Sequence, residues 1–304
     1  AVNPELTATT NMMFNYEGLN YRKFAGVVDV VSWDAYPTWH ESPDNSRVAA
    51  WFALNHDLFR TLKGRPFVLM ESTPSQTNWQ PVSKLKRPGM HKLSSLQAVA
   101  HGSDSVMYFQ WRKSRGASEK FHGAVVDHCG HEHTRVFREV SELGSTLKSL
   151  AEIIGTNVPA ETAVFFDWEN RWAVKDAKGP RNKGIKYEET VMQHYFPFWQ
   201  LGVPVDVIGA DDDFSKYKLL VAPMMYMVRR DVGERIERFV ENGGTFVATY
   251  WSGIVDENDL CHLGGFPGPL RRTLGIWAEE IDGLHDHDVN GLIFREANAL
   301  GLQG

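Results

Sequence analysis

The fold of this chain is decided at residues 66–71, which read Pro66-Phe67-Val68-Leu69-Met70-Glu71. This short apolar run ends in a carboxylate and is typical of a strand buried in a parallel sheet. It follows a segment at 46–63 whose apolar residues have helical spacing and which Gly64 ends as a C-cap. A buried strand that comes directly after an amphipathic helix indicates a parallel α/β protein.

The same alternation continues on both sides of this strand. Strands are predicted at 27–33, 66–70 and 105–111, and helices at 46–63, 91–101 and 134–153. Either a doubly wound sheet or a (β/α)8 barrel accommodates this order, and hydrophobic periodicity does not choose between them. In both architectures, the polar residues that follow the strands gather at the functional edge of the sheet.

A second α/β block begins near residue 157. Strands are predicted at 162–166, 203–208, 218–223 and 245–250, and helices at 187–201 and 231–242. These elements favour an open doubly wound sheet, and no G-x-G-x-x-G follows a strand, so dinucleotide binding is not indicated. We expect two domains, at residues 1–155 and 156–304.

Composition is that of an ordinary globular protein, with 42% hydrophobic and 23% charged residues. A net charge of -6 and a pI near 6.1 do not favour binding to nucleic acid or to an anionic membrane surface. Two cysteines cannot build a disulfide framework, which fits a reducing, cytoplasmic compartment. No apolar run suggests a membrane span, and the first residues, which lack Met, resemble no signal peptide. The true N-terminus is therefore expected upstream.

Glu71 is the first candidate for chemistry. It ends a buried strand and is followed by Ser72-Thr73-Pro74, a loop that can shape a cleft. Retaining glycosidases use one carboxylate as nucleophile and a second as acid/base, about 5–5.5 Å apart. Glu71 suits the first role, although an ion-paired glutamate at a strand end is an equally good interpretation.

Three further residues could contact a substrate. Trp79 offers a flat apolar face to a sugar ring, but packing within its own loop explains it as well. Glu119 and His122 could hydrogen-bond to hydroxyl groups, and the alternative is a solvated, charged loop.

Two other polar clusters are weaker candidates. His128, Cys129, His131 and His133 are close in sequence, but their spacing on one loop is poor for a zinc site, and we predict no metal there. The run 211–213 consists of three aspartates, which we interpret as a solvated turn and a helix N-cap.

Several ordered motifs resemble glycoside hydrolase family 42. In the first half they are Val28-Asp29-Val30-Val31-Ser32-Trp33-Asp34-Ala35-Tyr36-Pro37, Met70-Glu71-Ser72-Thr73-Pro74 with Asn78-Trp79, Lys84-Leu85-Lys86-Arg87-Pro88-Gly89 and Glu119-Lys120-Phe121-His122-Gly123. In the second half they are Phe166-Asp167-Trp168-Glu169-Asn170, Val221-Ala222-Pro223-Met224 and Ser252-Gly253-Ile254-Val255-Asp256-Glu257-Asn258. The likeness covers nearly the whole chain.

The resemblance implies the C-terminal part of a (β/α)8 barrel followed by a flavodoxin-like trimerisation domain. It implies retaining hydrolysis of terminal β-D-galactosides by a homotrimer, with a galactoside or galacto-oligosaccharide as substrate and no cofactor. By motif position, Glu71 resembles the family's nucleophile, and Trp79, Glu119 and His122 resemble residues that contact galactose. Tyr36 could hydrogen-bond near Glu71.

One departure concerns the second carboxylate. The family's acid/base glutamate follows an asparagine on an earlier barrel strand, and this sequence has no such Asn-Glu pair. The acid/base residue and the family's Cys-rich zinc cluster are therefore expected upstream, and the chain alone is expected to be inactive. Alternatives are a retaining barrel glycosidase for another sugar, such as an α-L-arabinopyranosidase, and a non-catalytic binding or assembly module. A glutamine amidotransferase-like second block is disfavoured because no cysteine lies at a strand-to-helix elbow.

Overall fold

A computed structural model describes residue 3 and residues 5–291, and its first half is built on a four-stranded parallel sheet. The strands are β1 (Asn11–Met13), β2 (Ser32–Asp34), β3 (Phe67–Glu71) and β4 (Ser103–Val106). They are hydrogen-bonded in sequence order, β1-β2-β3-β4. This order never reverses, as in the wall of a (β/α)8 barrel and unlike a doubly wound sheet. The topology therefore resolves the choice that periodicity left open.

Four helices accompany this sheet: α1 (Tyr21–Ala25), α2 (Ser46–Thr61), α3 (Met90–Ala100) and α4 (Arg135–Ser149). The Asn20 side chain caps α1 and the Thr134 side chain caps α4, because each accepts a backbone N–H that the first turn leaves unpaired. The predicted helices at 46–63, 91–101 and 134–153 are confirmed to within a few residues. The last of these ends as a short 3-10 turn at Ala151–Ile153.

The predicted strand at 27–33 is wrong in its first five residues. The backbone N–H groups of Val27 and Val28 donate to Phe24 O, which extends the turn after α1, and those of Asp29 and Val30 donate to Ala8 O. None of these four donors takes part in a strand ladder, and Val27 is 79% exposed. Regular pairing starts only at β2.

The strand predicted at 105–111 lies earlier in the chain, since β4 ends at Val106. The following residues still run beside β3, with Met107 N donating to Leu69 O and Phe109 N to Ser72 O, but without a regular ladder. Strand β1 and helix α1 were not predicted at all, because each is too short to show a period.

The second half is a separate four-stranded parallel sheet of β5 (Thr162–Phe165), β6 (Val205–Ile208), β7 (Leu219–Ala222) and β8 (Thr245–Ala248). Its order, β6-β5-β7-β8, reverses at β5, which is the flavodoxin-like arrangement expected from the sequence. The helices of this half are α5 (Trp168–Asp176), α6 (Tyr187–Gln200), α7 (Arg230–Glu241) and the short α8 (Arg271–Leu274). None of the described helices is long and apolar enough to cross a membrane.

The aspartate run at 211–213 is in a turn, as predicted, but no helix follows it, so the expected N-cap is wrong. Asp213 Oδ1 instead accepts from Ser215 N, and Asp211 pairs with Arg229. Asp212 is not simply solvated, because it forms an ion pair with Arg22 of the first half.

A buried polar junction joins the two halves at Arg60 of α2. Its Nη1 donates to Asp57 Oδ1 at 2.8 Å, and its Nη2 donates to Asp206 Oδ1 at 2.8 Å and to Val205 O at 2.8 Å. Asp206 and Val205 belong to β6, so one guanidinium ties the helix layer of the first sheet to a strand of the second. Arg60 and Asp57 are each 2% exposed.

Candidate active site

The carboxyl ends of β2 and β3 open into a cavity of about 710 Å³. Asp34 and Glu71 are the last residues of these two strands and lie opposite each other in register. The volume is within the range of roughly 300–1,000 Å³ that small-molecule sites occupy. The lining consists of Asn11, Met13, Phe14, Asp34, Tyr36, Thr38, Trp51, Phe52, Glu71, Trp79, Phe109 and Glu119.

Glu71 is held in place through both of its carboxylate oxygens. The Tyr36 hydroxyl donates to Oε2 at 2.6 Å, and Asn11 Nδ2 donates to Oε1 at a longer 3.5 Å. Burial, followed by the hydrogen bond to Glu71, raises the pKa of Tyr36 far above its usual value. The phenol therefore stays protonated and donates to the carboxylate, which fixes the orientation of Glu71 in the cavity lining.

Asp34 belongs to this site, although it is not among the residues singled out from the sequence. Asn11 Nδ2 donates to its Oδ2 at 2.9 Å, so a single amide contacts both carboxylates. Burial raises the pKa of Asp34 to about 6, the Asn11 hydrogen bond opposes this rise, and the charge of Glu71 adds to it. One feature of the sequence could have identified Asp34: it ends the strand that pairs with the strand of Glu71.

We expect replacement of Asp34 by Asn to stabilise the protein at neutral pH but not at acid pH. The pKa of Asp34 is raised above the unfolded value of 3.8, so the folded state binds its proton more tightly. The stability from this proton is fully present below pH 3.8 and is lost as the pH rises through about 6. Denaturation midpoints of wild type and Asp34→Asn, measured from pH 4 to pH 8, should diverge in favour of the variant. A constant difference across this range would contradict the assignment.

Of the five residues singled out from the sequence, four line the cavity: Tyr36, Glu71, Trp79 and Glu119. The Trp79 indole meets the Tyr36 ring edge-on, with 5.3 Å between centroids, and is 54% exposed. It is therefore not packed inside its own loop, which was the alternative interpretation. An exposed indole beside a carboxylate offers an apolar face to a ligand.

His122 lies directly behind this lining. Its ring contacts those of Tyr36 and Phe109, with centroids 5.6 and 5.1 Å away, and the side chain is buried. Its backbone N–H donates to Glu119 O at 2.9 Å, so the two residues are positioned together. The charged-loop interpretation fails for His122, because the ring is completely enclosed.

The protonation of His122 follows from its neighbour Asn78, which was not predicted as a site residue. Asn78 Nδ2 donates to Ser118 O at 2.9 Å, which leaves Asn78 Oδ1 to accept from His122 Nδ1 at 3.0 Å. Burial lowers the pKa of His122, so the ring is neutral with its proton on Nδ1. Nε2 is then a hydrogen-bond acceptor, and it is buried without a partner among the described residues.

The cluster of His128, Cys129, His131 and His133, considered above as a zinc site, gains no support from the described residues. Within residue 3 and residues 5–291, no group of three or more His, Cys, Asp or Glu side chains is arranged to hold a metal ion. His131 and His133 lie near each other, but Cys129 is an exposed free thiol. Cys261 is also exposed and free.

Two family models match the chain. A model described as β-galactosidase matches residues 1–150, and one described as the β-galactosidase trimerisation domain matches residues 160–300. The two matches fall on the first and second sheets, respectively.

Curated relatives and solved structures agree with these models. The β-galactosidase Pbg of Clostridium perfringens is 60% identical over 100% of this chain and 45% of its own length. The β-galactosidase BglY of Alicyclobacillus acidocaldarius is 61% identical over 100% of this chain and 44% of its own length. The crystal structure of a cold-adapted β-galactosidase from Rahnella sp. R3 superimposes with a TM-score of 0.96 at 64% identity, covering 99% of this chain and 45% of that one. The chain thus spans less than half the length of each of these three relatives.

Proposed function

Because the chain belongs to glycoside hydrolase family 42, we propose that the protein is a retaining β-galactosidase that cleaves terminal β-D-galactosides. The observation that carries the proposal is Glu71 at the end of β3, oriented by the Tyr36 hydroxyl and open to the large cavity. A non-catalytic binding or assembly module is not favoured, since relatives at 60% and 61% identity are named β-galactosidases.

In the proposed mechanism, Glu71 attacks the anomeric carbon of the bound galactoside. A C–O bond forms to the carboxylate while the glycosidic bond breaks, and a carboxylic acid protonates the departing oxygen. That residue, now ionised, removes a proton from water, which attacks the same carbon and releases Glu71 and galactose. Both steps are acid–base and nucleophilic chemistry of carboxyl groups, and we propose no cofactor.

Asp34 is a poor candidate for the acid/base role despite its raised pKa. The two carboxyl groups of a retaining glycosidase flank the scissile bond, with the substrate between them. Asp34 and Glu71 instead lie side by side on neighbouring strands and accept from the same Asn11 amide, which leaves no room for a sugar. We propose that the acid/base glutamate and any zinc cluster belong to the part of the relatives' length that this chain does not span.

The remaining site residues are proposed to bind galactose. Trp79 would stack on the apolar face of the sugar, and Glu119 would accept hydrogen bonds from its hydroxyl groups. The sequence also suggested His122 as a galactose contact, but its Nε2 is enclosed, so we propose that it holds the Tyr36 and Phe109 rings from behind the lining. Tyr36 would keep Glu71 in its attacking orientation. The family description of the second half supports self-association, and we propose a homotrimer.

A panel of chromogenic glycosides assayed with the intact protein tests the substrate. We expect 4-nitrophenyl β-D-galactoside to be cleaved with retention of anomeric configuration, and faster than the α-L-arabinopyranoside. Chain 1–304 assayed in parallel should release no nitrophenol, because it lacks the second carboxylate. Hydrolysis by chain 1–304 would contradict the proposal that its acid/base residue lies outside this segment. A preference for the arabinopyranoside would contradict the proposed galactoside specificity.

A further inference from the structure

Asp34 is brought beside Glu71 by an irregularity in the pairing of β2 with β3. Up to Trp33 and Leu69 the two strands pair regularly, residue by residue. The register then skips Met70, so that Asp34 lies opposite Glu71. Register irregularities of this kind are common next to active sites, where they redirect a side chain. Here the shift brings two carboxylates to one part of the cavity wall.

The position of Asp34 is unfavourable for the stability of the protein. Burial, and to a lesser extent the charge of Glu71, raises the pKa of Asp34 to about 6. Neither lysine nor arginine is among the described residues that line the cavity, so no cation there offsets the two carboxylates. A side chain that is retained although it destabilises the folded state at neutral pH points to a functional role.

The hydrogen bonds of Asp34 and Asn11 connect them to each other and to Glu71. Within the described part of the chain, the Asp34 carboxylate accepts only from Asn11 Nδ2, at 2.9 Å, and its Oδ1 is buried without a partner. Asn11 Nδ2 carries two N–H groups, and the other acceptor near it is Glu71 Oε1, at 3.5 Å. The shorter contact sets the position of the amide, so Asp34 determines how Asn11 faces the nucleophile.

We propose that Asp34 is a positioning residue, which acts through the Asn11 amide to fix the direction in which Glu71 attacks. The proposal rests on the proposed β-galactosidase function. Tyr36 holds only Oε2 of Glu71, at 2.6 Å, and a single hydrogen bond leaves the carboxylate free to turn about that oxygen. The amide beside Oε1 restricts this rotation.

The same geometry identifies the attacking oxygen of Glu71. Oε2 shares its charge with the phenol through a short hydrogen bond, whereas Oε1 has only the longer contact to the amide and keeps more of its charge. Oε1 therefore forms the bond to the anomeric carbon, and Oε2 becomes the carbonyl oxygen of the ester. The electron pair of the glycosidic bond leaves with the departing oxygen.

A double-mutant cycle in the intact enzyme tests whether Asp34 acts through Asn11. Asn11→Ala and Asp34→Ala should each lower kcat/KM for 4-nitrophenyl β-galactoside about tenfold, the effect of losing about one hydrogen bond in the transition state. The double variant should be no slower than the slower single variant, because both changes remove the same contact to Glu71. If Asp34→Ala does not fold, Asp34→Val takes its place, since valine suits a strand and also lacks an acceptor.

Two further variants at aspartates serve as references. Asp34→Asn keeps an oxygen acceptor for the Asn11 amide, so it should lower kcat/KM by less than about threefold. Asp44→Ala changes an exposed aspartate on the loop that follows β2 and should stay within about twofold of wild type.

Azide separates positioning of Glu71 from binding of the substrate. In intact Glu71→Gly protein, azide attacks the anomeric carbon of 2,4-dinitrophenyl β-galactoside in place of the carboxylate. A C–N bond forms, and dinitrophenolate leaves with the electron pair of the glycosidic bond and needs no proton. Adding Asn11→Ala or Asp34→Ala should leave this azide-supported rate within about twofold, because no nucleophilic side chain remains to be positioned.

Several results would overturn the proposal. An azide-supported rate that also falls about tenfold would mean that Asp34 and Asn11 bind the substrate or hold the site together. Losses that multiply in the double variant, or an Asp34→Asn enzyme as slow as Asp34→Ala, would equally refute a role through the amide. A wild type that cleaves no β-galactoside would refute the proposed function and the positioning role with it, whereas an active wild type with any of the other results would refute the positioning role alone.

Discussion

Replacing Glu71 by Gln in the intact protein should lower kcat for 4-nitrophenyl β-galactoside by about 10⁴-fold or more, the scale seen when a covalent nucleophile is removed. The amide is nearly isosteric and can still accept the Tyr36 hydroxyl, so the fold should be unaffected. The Asn11 amide retains Asp34 as its shorter partner, at 2.9 Å. The loss would therefore reflect nucleophilicity rather than local unfolding.

Glu132→Gln is the matched control, because Glu132 is an exposed glutamate on the loop before α4. It should leave kcat within about twofold of wild type, as exposed substitutions away from a site usually have little effect. Incubating wild type with a 2-deoxy-2-fluoro galactoside that has a good leaving group should add one fluorogalactosyl mass to the peptide containing Glu71. Substantial turnover by Glu71→Gln, or labelling of another carboxylate, would refute the nucleophile assignment.

The position of Glu71 could be predicted because local pattern and global fold agree there. A continuous apolar run followed by a carboxylate predicts both the strand and its functional end, and β3 ends at Glu71. Segment 27–33 shows the limit of this reasoning. Its valines have high strand propensity, but their N–H groups donate to Phe24 O in the preceding turn and to Ala8 O in a distant segment, so they do not join the sheet.

Side-chain partners could not be predicted from sequence because they depend on distances across strands. Asn11 is 60 residues from Glu71 along the chain, and Asn78 is 44 residues from His122. Asp34 was not predicted as a site residue, because its place at the site depends on its register with Glu71 on the neighbouring strand. The motif resemblance did identify Trp79, Glu119 and Tyr36, which the structure brings to one cavity.

The junction between the two halves was equally invisible in the sequence. Arg60 looks like an ordinary basic residue in the last turn of a helix, a position that favours solvent and the helix dipole. In the structure, its guanidinium is buried between Asp57 and Asp206. Asp57 also accepts the Tyr195 hydroxyl at 2.6 Å, so the network extends into α6. Such a network holds the second sheet against the helices of the first half.

Arg60→Met should therefore destabilise the intact protein by about 3–5 kcal/mol, because it removes the buried cation that Asp57 and Asp206 share and leaves Asp206 with only the exposed Lys216. For a domain of about 150–250 residues, a loss of this size should lower the thermal midpoint by about 10 °C. Arg230→Met is the matched control, since Arg230 is 92% exposed in α7 and its loss should cost less than about 0.5 kcal/mol. Thermal denaturation of the three proteins at one concentration measures both effects.

The triple variant Arg60→Met, Asp57→Asn, Asp206→Asn distinguishes charge burial from lost packing. If the uncompensated carboxylates cause the instability, neutralising them should recover much of the lost midpoint, although the guanidinium contacts remain absent. The amide oxygen introduced at position 57 can still accept the Tyr195 hydroxyl, and the one introduced at position 206 can accept the Tyr217 hydroxyl, so these two hydrogen bonds are retained. A triple variant no more stable than Arg60→Met would mean that the arginine acts through its packed stem and its bonds to Val205 O and His101 O, and not through its charge.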